Sequence, residues 1–177
     1  MANRKLTGVL LVGGASTRFG SPKALVRLGG ETLAERAWRL LGDACDERIA
    51  VGKRADLLEL PFEVLDDGTD VRAPIAGVVA GLRAARNEIV VVIPVDTPLL
   101  TKAAVQELAD ACRDVAVPAT GPLPGAYRRS TLSTLERALS AGHLSLREAI
   151  ADLDVAVVDL DAALLTNVNT PDDVRRL

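Results

Sequence analysis

The chain has 177 residues, 49% of them hydrophobic, and a formal net charge of −3, which suits one domain with a core large enough to fold without disulfides. So even a charge balance offers no broad basic field for nucleic acid or an anionic membrane, and Phe19, Trp38, Phe62 and Tyr127 are too few aromatics for a base-stacking platform. Cys45 and Cys112 stand far apart with no CxxC, and His143 is the one histidine; a Cys/His metal centre is not expected, and the two thiols are expected as reduced core residues.

Residues 1–5 run straight into a strand pattern with no apolar stretch suited to a signal peptide, and the apolar run 89–95 is too short to span a bilayer. A soluble cytoplasmic protein is therefore expected. The run 8–12 stops at Gly13-Gly14 and predicts a buried strand. A polar loop follows through Ser21-Pro22, then a Gly29-Gly30 turn. Thr32-Leu33-Ala34-Glu35 has the form of a capping box opening a helix to about residue 41. Strands are predicted at 48–51 and 62–65, the second ending in Asp66-Asp67-Gly68. Pro74 suits the first turn of a helix to about residue 86. The strongest strand, 89–93, should be central and parallel. A helix over 102–112, short strands at 115–117 and 125–128, helices near 131–139 and 146–153 and a strand over 154–159 follow. Thr170-Pro171-Asp172-Asp173 then starts a terminal helix with a cap, a first-turn proline and acids at its positive end.

This alternation predicts one α/β domain, with helices on both faces of a mostly parallel sheet. Ligands of such sheets bind outside the C-terminal ends of the strands, so the chemistry is sought there. After the first strand, Gly13-Gly14 lets the backbone bend with its amides inward, and such amides cradle phosphate oxygens. Arg18 adds a planar fork and Lys23 a compact charge. Lys23 is one of four lysines against seventeen arginines. The spacing fits neither GxxxxGK[ST] nor GxGxxG, which rejects a P-loop and a dinucleotide fingerprint. The bland alternative is a surface turn with solvated cations. Asp96, directly after the strongest strand, could hold magnesium, which takes oxygen ligands, or could close the turn before Thr97-Pro98. Asp66-Asp67 reads by itself as a solvated turn. Asn167 and Asn169 could bond a polar ligand, or Asn169 and Thr170 could cap the last helix.

Together these segments resemble the molybdenum cofactor guanylyltransferase family, within the nucleotidyltransferase superfamily. Leu11-Val12-Gly13-Gly14 through Arg18-Phe19-Gly20 to Lys23 is similar to that family's opening L-A-G-G…R-M-G…K. Asp66 with Ala73-Pro74-Ile75-Ala76-Gly77 resembles its D…G-P-L-A-G segment, Pro94-Val95-Asp96-Thr97-Pro98 its C-D-x-P turn, and Asn167-Val168-Asn169-Thr170-Pro171 its N-x-N-T-P ending. Val12 stands for the usual Ala and Phe19 for the common Met. An Asn that some members carry after the second strand has no equal, Gly52 or Lys53 lying there instead.

The resemblance implies a three-layer α/β/α Rossmann-like fold with a mostly parallel central sheet, and a single nucleotidyltransferase domain over 1–177. It implies transfer of GMP from GTP to the phosphate of molybdopterin, release of pyrophosphate, and Mg2+ as cofactor. Carried over by position, Leu11, Val12, Gly13 and Gly14 would surround the nucleotide and Asp66 would hold its guanosine part. Lys23 would contact the phosphates, Asp96 would bind magnesium, and Arg18 would join these two in catalysis. Asn167 and Asn169 would lie on the acceptor side. The implied partners are GTP, a molybdopterin-type acceptor and room for proteins that deliver it, with no nucleic acid and no membrane. A cytidylyltransferase, a sugar-phosphate nucleotidyltransferase and a non-catalytic nucleotide-binding module stay open as alternatives.

Overall fold

The protein is described from a computed structural model over residues 4–13 and 22–177. β1 (Leu6–Leu11) leads through a short 3-10 turn at Lys23–Leu25 to a small hairpin, β2 (Arg27–Leu28) and β3 (Glu31–Thr32). α1 (Leu33–Ala44) then opens on Thr32, whose hydroxyl accepts from the Glu35 amide while the Glu35 carboxylate accepts from the Thr32 amide. This satisfies two donors that the first helical turn leaves without partners. β4 (Glu47–Gly52), β5 (Val64–Asp66), α2 (Pro74–Ala84), β6 (Ile89–Pro94), α3 (Lys102–Ala111), β7 (Val115–Pro118), β8 (Gly125–Arg128), α4 (Leu132–Ser140), α5 (Leu146–Ala149), β9 (Val155–Val158) and α6 (Pro171–Arg175) complete the order.

Seven strands form one sheet in the order β5-β4-β1-β6-β8-β7-β9. β8 runs antiparallel to both neighbours; the other pairings are parallel. β1 and β6 are buried on both faces, which explains their continuous apolar runs. Leu6 and Leu10 of β1, with Ile89, Val91 and Ile93 of β6, pack on one face against α1 and α3. Val9 and Leu11, with Val90 and Val92, pack on the other against α2, α4 and α5. The architecture is the expected three-layer α/β/α arrangement with a mostly parallel sheet.

α2 lies unusually close to β1. A Cβ at Gly81 would stand 2.7 Å from Val9 Cγ1, and one at Gly77 would stand 2.8 Å from Leu11 Cδ2. Glycine at these two positions lets the helix settle against the central strand, so that its first turn reaches the strand ends.

Several boundaries differ from expectation for local reasons. β5 begins at Val64 because Phe62 turns out of the strand line to stack on Trp38, 4.3 Å between ring centroids. α5 ends at Ala149, and the chain continues through tighter turns in which Ala151 and Leu153 donate to Glu148 and Ile150. Among the described residues, no helix is long and apolar enough to cross a membrane. Cys45 and Cys112 are free thiols, pushed up by burial to about 12 and about 11.

Candidate active site

β1, β4, β5 and β6 lie side by side and all point the same way. β4, the next strand of the sheet along the chain, lies on one side of β1, and β6, reached after β5 and α2, lies on the other; such a switch in strand order is where open α/β sheets form a crevice. A cavity of about 460 Å3 lies there, with Leu11, Gly13, Lys23, Lys53, Asp67 and Asp96 in its wall. Leu123, from the loop between β7 and β8, also reaches it.

The β1 end is prepared for close approach. The Val12 amide continues the ladder to the Val51 carbonyl at 3.0 Å, and the Leu11 carbonyl accepts from the Val95 amide at 3.2 Å. Among the described residues, a Cβ at Gly13 would meet nothing nearer than Gly52 Cα at 3.8 Å. Gly13 lines the cavity, and with no side chain there a ligand can come up against the backbone.

Lys23 follows Pro22 in a 3-10 turn pinned by Ala24, which is wholly buried beneath α1. Its Nζ donates to Asp96 Oδ2 at 2.9 Å and to Asn169 Oδ1 at 2.6 Å. Asp96 follows β6 in a turn held by the Thr97 hydroxyl, which donates to the Pro94 carbonyl, and by Arg36, whose Nε donates to the Pro98 carbonyl. The turn is thus closed by Thr97, and the Asp96 carboxylate faces Lys23. The Asp96 carbonyl in turn accepts from the Val168 amide at 2.8 Å, drawing the C-terminal segment across the β6 end.

The opposite wall comes from β4 and β5. Lys53 Nζ lies 2.8 Å from both carboxylate oxygens of Asp67 and 2.6 Å from the Thr69 carbonyl. Arg72 pairs with Asp56 at 2.9 Å. The acid in the cavity wall is Asp67, whereas the Asp66 carboxylate accepts from the amides of Arg54 and Gly68, each at 2.7 Å. Those amides, Gly68 first, hold the Asp66 carboxyl below the usual aspartate range.

The structure brings Leu11, Gly13, Lys23 and Asp96 together around one cavity, with Asn169 on Lys23. Val12 sits with its side chain in the core, Asp66 is turned into its own loop, and Asn167 is exposed. Gly14 and Arg18 lie outside the described residues. Lys53, Asp67, Asp56 and Arg72 also line the wall, beyond the residues expected from the sequence. The departure at Lys53 was the available signal for them. His143 is exposed, and its amide joins that of Gly142 in closing the C-terminus of α4.

One carboxylate beside a cation is a sparse donor set. Among the described residues no group of three or more His, Cys, Asp or Glu could hold a metal ion. Asp96 fits a magnesium ion of the kind held by one or two carboxylates together with substrate phosphates and water.

The model of the MobA-like NTP transferase domain family matches residues 8–157. The chain is 32% identical to a probable molybdenum cofactor guanylyltransferase of Chloroflexus aggregans, over 96% of this chain and 92% of the relative. It is 34% identical to a protein of the same description from Opitutus terrae, over 95% and 92%. The molybdopterin-guanine dinucleotide biosynthesis protein A of Archaeoglobus fulgidus superposes with a TM-score of 0.81 at 26% identity, over 96% of this chain and 95% of that one. A 2-C-methyl-D-erythritol 4-phosphate cytidylyltransferase of Thermus thermophilus shares the fold, with a TM-score of 0.75 at 20% identity over 95% of each chain.

Proposed function

The chain belongs to the MobA-like NTP transferase family, and we propose that it transfers GMP from GTP to the phosphate of molybdopterin, releasing pyrophosphate, as one cytoplasmic domain spanning 1–177. The observation that carries this reading is the meeting of Lys23, Asp96 and Asn169 at one corner of the strand-end cavity. These residues come from three distant parts of the sequence and bring a cation, a carboxylate and an amide to one point of the strand-end edge.

In this reading an oxygen of the acceptor phosphate bonds to the α-phosphorus of GTP, while the bond from that phosphorus to the pyrophosphate oxygen breaks. A phosphate monoester is mostly dianionic at neutral pH, its second pKa being about 6, so no strong general base is needed. The obstacle is repulsion between two polyanions. Lys23 lowers it by donating to phosphate oxygens, and Gly13 lets the backbone approach. Asp96 would hold Mg2+, which supplies charge neutralisation on the phosphates when bound. Arg18 and Gly14 are assigned by position to the phosphate side, and Leu11 and Val12 to the nucleotide. Asp66 is assigned to the loop that carries the guanosine part, acting through its hold on the Gly68 turn. Asn167 and Asn169 are assigned to the acceptor side.

The test is turnover of purified protein with molybdopterin, GTP and magnesium, followed by the mass of the product. A mass gain equal to a guanylyl group, GMP less one water, is expected on the acceptor, with pyrophosphate released only when acceptor is present. Thermal shifts with magnesium GTP, CTP and UTP test the base, since the true ligand stabilises by mass action. A larger shift with CTP would move the assignment to a cytidylyltransferase.

A further inference from the structure

We propose that Asn169 is a positioning residue for Lys23, so that the C-terminal segment acts on the bound nucleotide as well as on the acceptor. The proposal rests on the function assigned above. A lysine ammonium has three donors and no acceptor. One donor is fixed on Asp96 Oδ2 at 2.9 Å and a second on Asn169 Oδ1 at 2.6 Å. Because an ammonium only donates, the Asn169 amide must turn its oxygen toward it. Two anchors on a tetrahedral head fix the direction of the third N–H, and with Lys23 in the cavity wall we assign that N–H to a phosphate oxygen.

The two anchors form one rigid unit. Val168, wholly buried, donates its amide to the Asp96 carbonyl at 2.8 Å. The amides of Asn169 and Thr170 both donate to Asp173 Oδ2, at 2.9 and 2.8 Å. Asn169 is therefore fixed through the backbone on both sides, while its side chain reaches a lysine 146 residues earlier. A purely acceptor-binding amide would need no such contact.

The test is titration calorimetry without any acceptor, using magnesium GTP and, as a probe indifferent to the base, magnesium pyrophosphate. The proteins are wild type, Asn169→Ala, Lys23→Ala and the double variant, with Asn169→Leu as a second replacement that keeps the volume and loses the amide. Asn169→Ala and Asn169→Leu should each weaken both ligands roughly tenfold, the scale of one hydrogen bond to a charged group. On the Lys23→Ala background the same substitution should have almost no further effect, because its target is gone. Equal losses on both backgrounds overturn the proposal, as does wild-type affinity accompanied only by a raised KM for the acceptor. Binding of pyrophosphate but not GTP by the wild type removes the base assignment and leaves the pyrophosphate cycle to decide on Asn169. Binding of neither ligand removes the assigned function and this proposal together.

Discussion

Two lysine–aspartate pairs face the same cavity, and they differ in what they leave over. Lys53 is saturated: both oxygens of Asp67 and the Thr69 carbonyl take its three donors. The pair is well shielded, with side chains 12% and 7% exposed. Among the described residues Lys23 is held by one oxygen of Asp96 and by the amide of Asn169, two partners for three donors, and its pair with Asp96 is more open at 19% and 22%. An ion pair that satisfies itself ties two loops together. One that stays incomplete at a cavity wall can receive a ligand. Charge and distance do not separate the two cases; the count of remaining donors does.

The sharpest way to break this contrast is Asp96→Ala, which removes both the proposed magnesium carboxylate and the partner of Lys23. A rate loss on the order of 10³-fold is expected with the fold kept, measured by pyrophosphate release. Near-normal turnover would remove the metal assignment. Lys23→Ala should cost about 10²-fold in rate by loss of one electrostatic donor; a loss below about threefold would count against its role. Lys53→Met should act the other way round. It strands a nearly buried carboxylate and should cost about 2–3 kcal/mol in urea unfolding. Its effect on turnover per folded molecule should stay below about tenfold. A variant as stable as wild type, with turnover abolished, would make Lys53 part of the reacting site.

The smallest effect lies in acid. Asp66 at the closed corner accepts from Gly68 and Arg54, and Asp173 at the open corner accepts from Asn169 and Thr170; both carboxyls are held below their ordinary 3.8. A depressed carboxyl stabilises the fold above its unfolded value, and that contribution is lost as pH falls through the lower folded value. Protection of the Gly68 and Asn169 amides, taken relative to their intrinsic exchange, should therefore hold at and above pH 3.8 and be lost only as pH falls through the lower folded values. Either carboxyl titrating above 3.8 would contradict the geometry.

Much of the scaffold was legible because its signals are local. Continuous apolar runs gave β1 and β6, and Thr32 with Glu35 gave a capping box that is present in both halves. Of the two-residue strands β2 and β3 only the Gly29-Gly30 turn between them is legible, because so short a ladder leaves no periodicity. The site was half legible. Lys23 and Asp96 could be paired because each follows a strand that must end at the same edge, whereas the choice between Asp66 and Asp67 depends on a single position in the strand, and one step along a strand reverses which way a side chain points. The partnership of Lys53 with Asp67 belongs to tertiary packing, and nothing in the spacing of the residues announces it.

The reversed direction of β8 carries a last implication. Since β7 and β8 meet as an antiparallel pair, the chain returns through the loop 119–124 at the cavity edge instead of crossing over through a helix on the far side. Leu123 lines the cavity for that reason. A surface return of this kind tolerates growth, each doubling of its length costing only about 0.6 kcal/mol. It is thus the place where descendants of this chain could be refitted to larger or smaller ligands while the sheet beneath stays as it is.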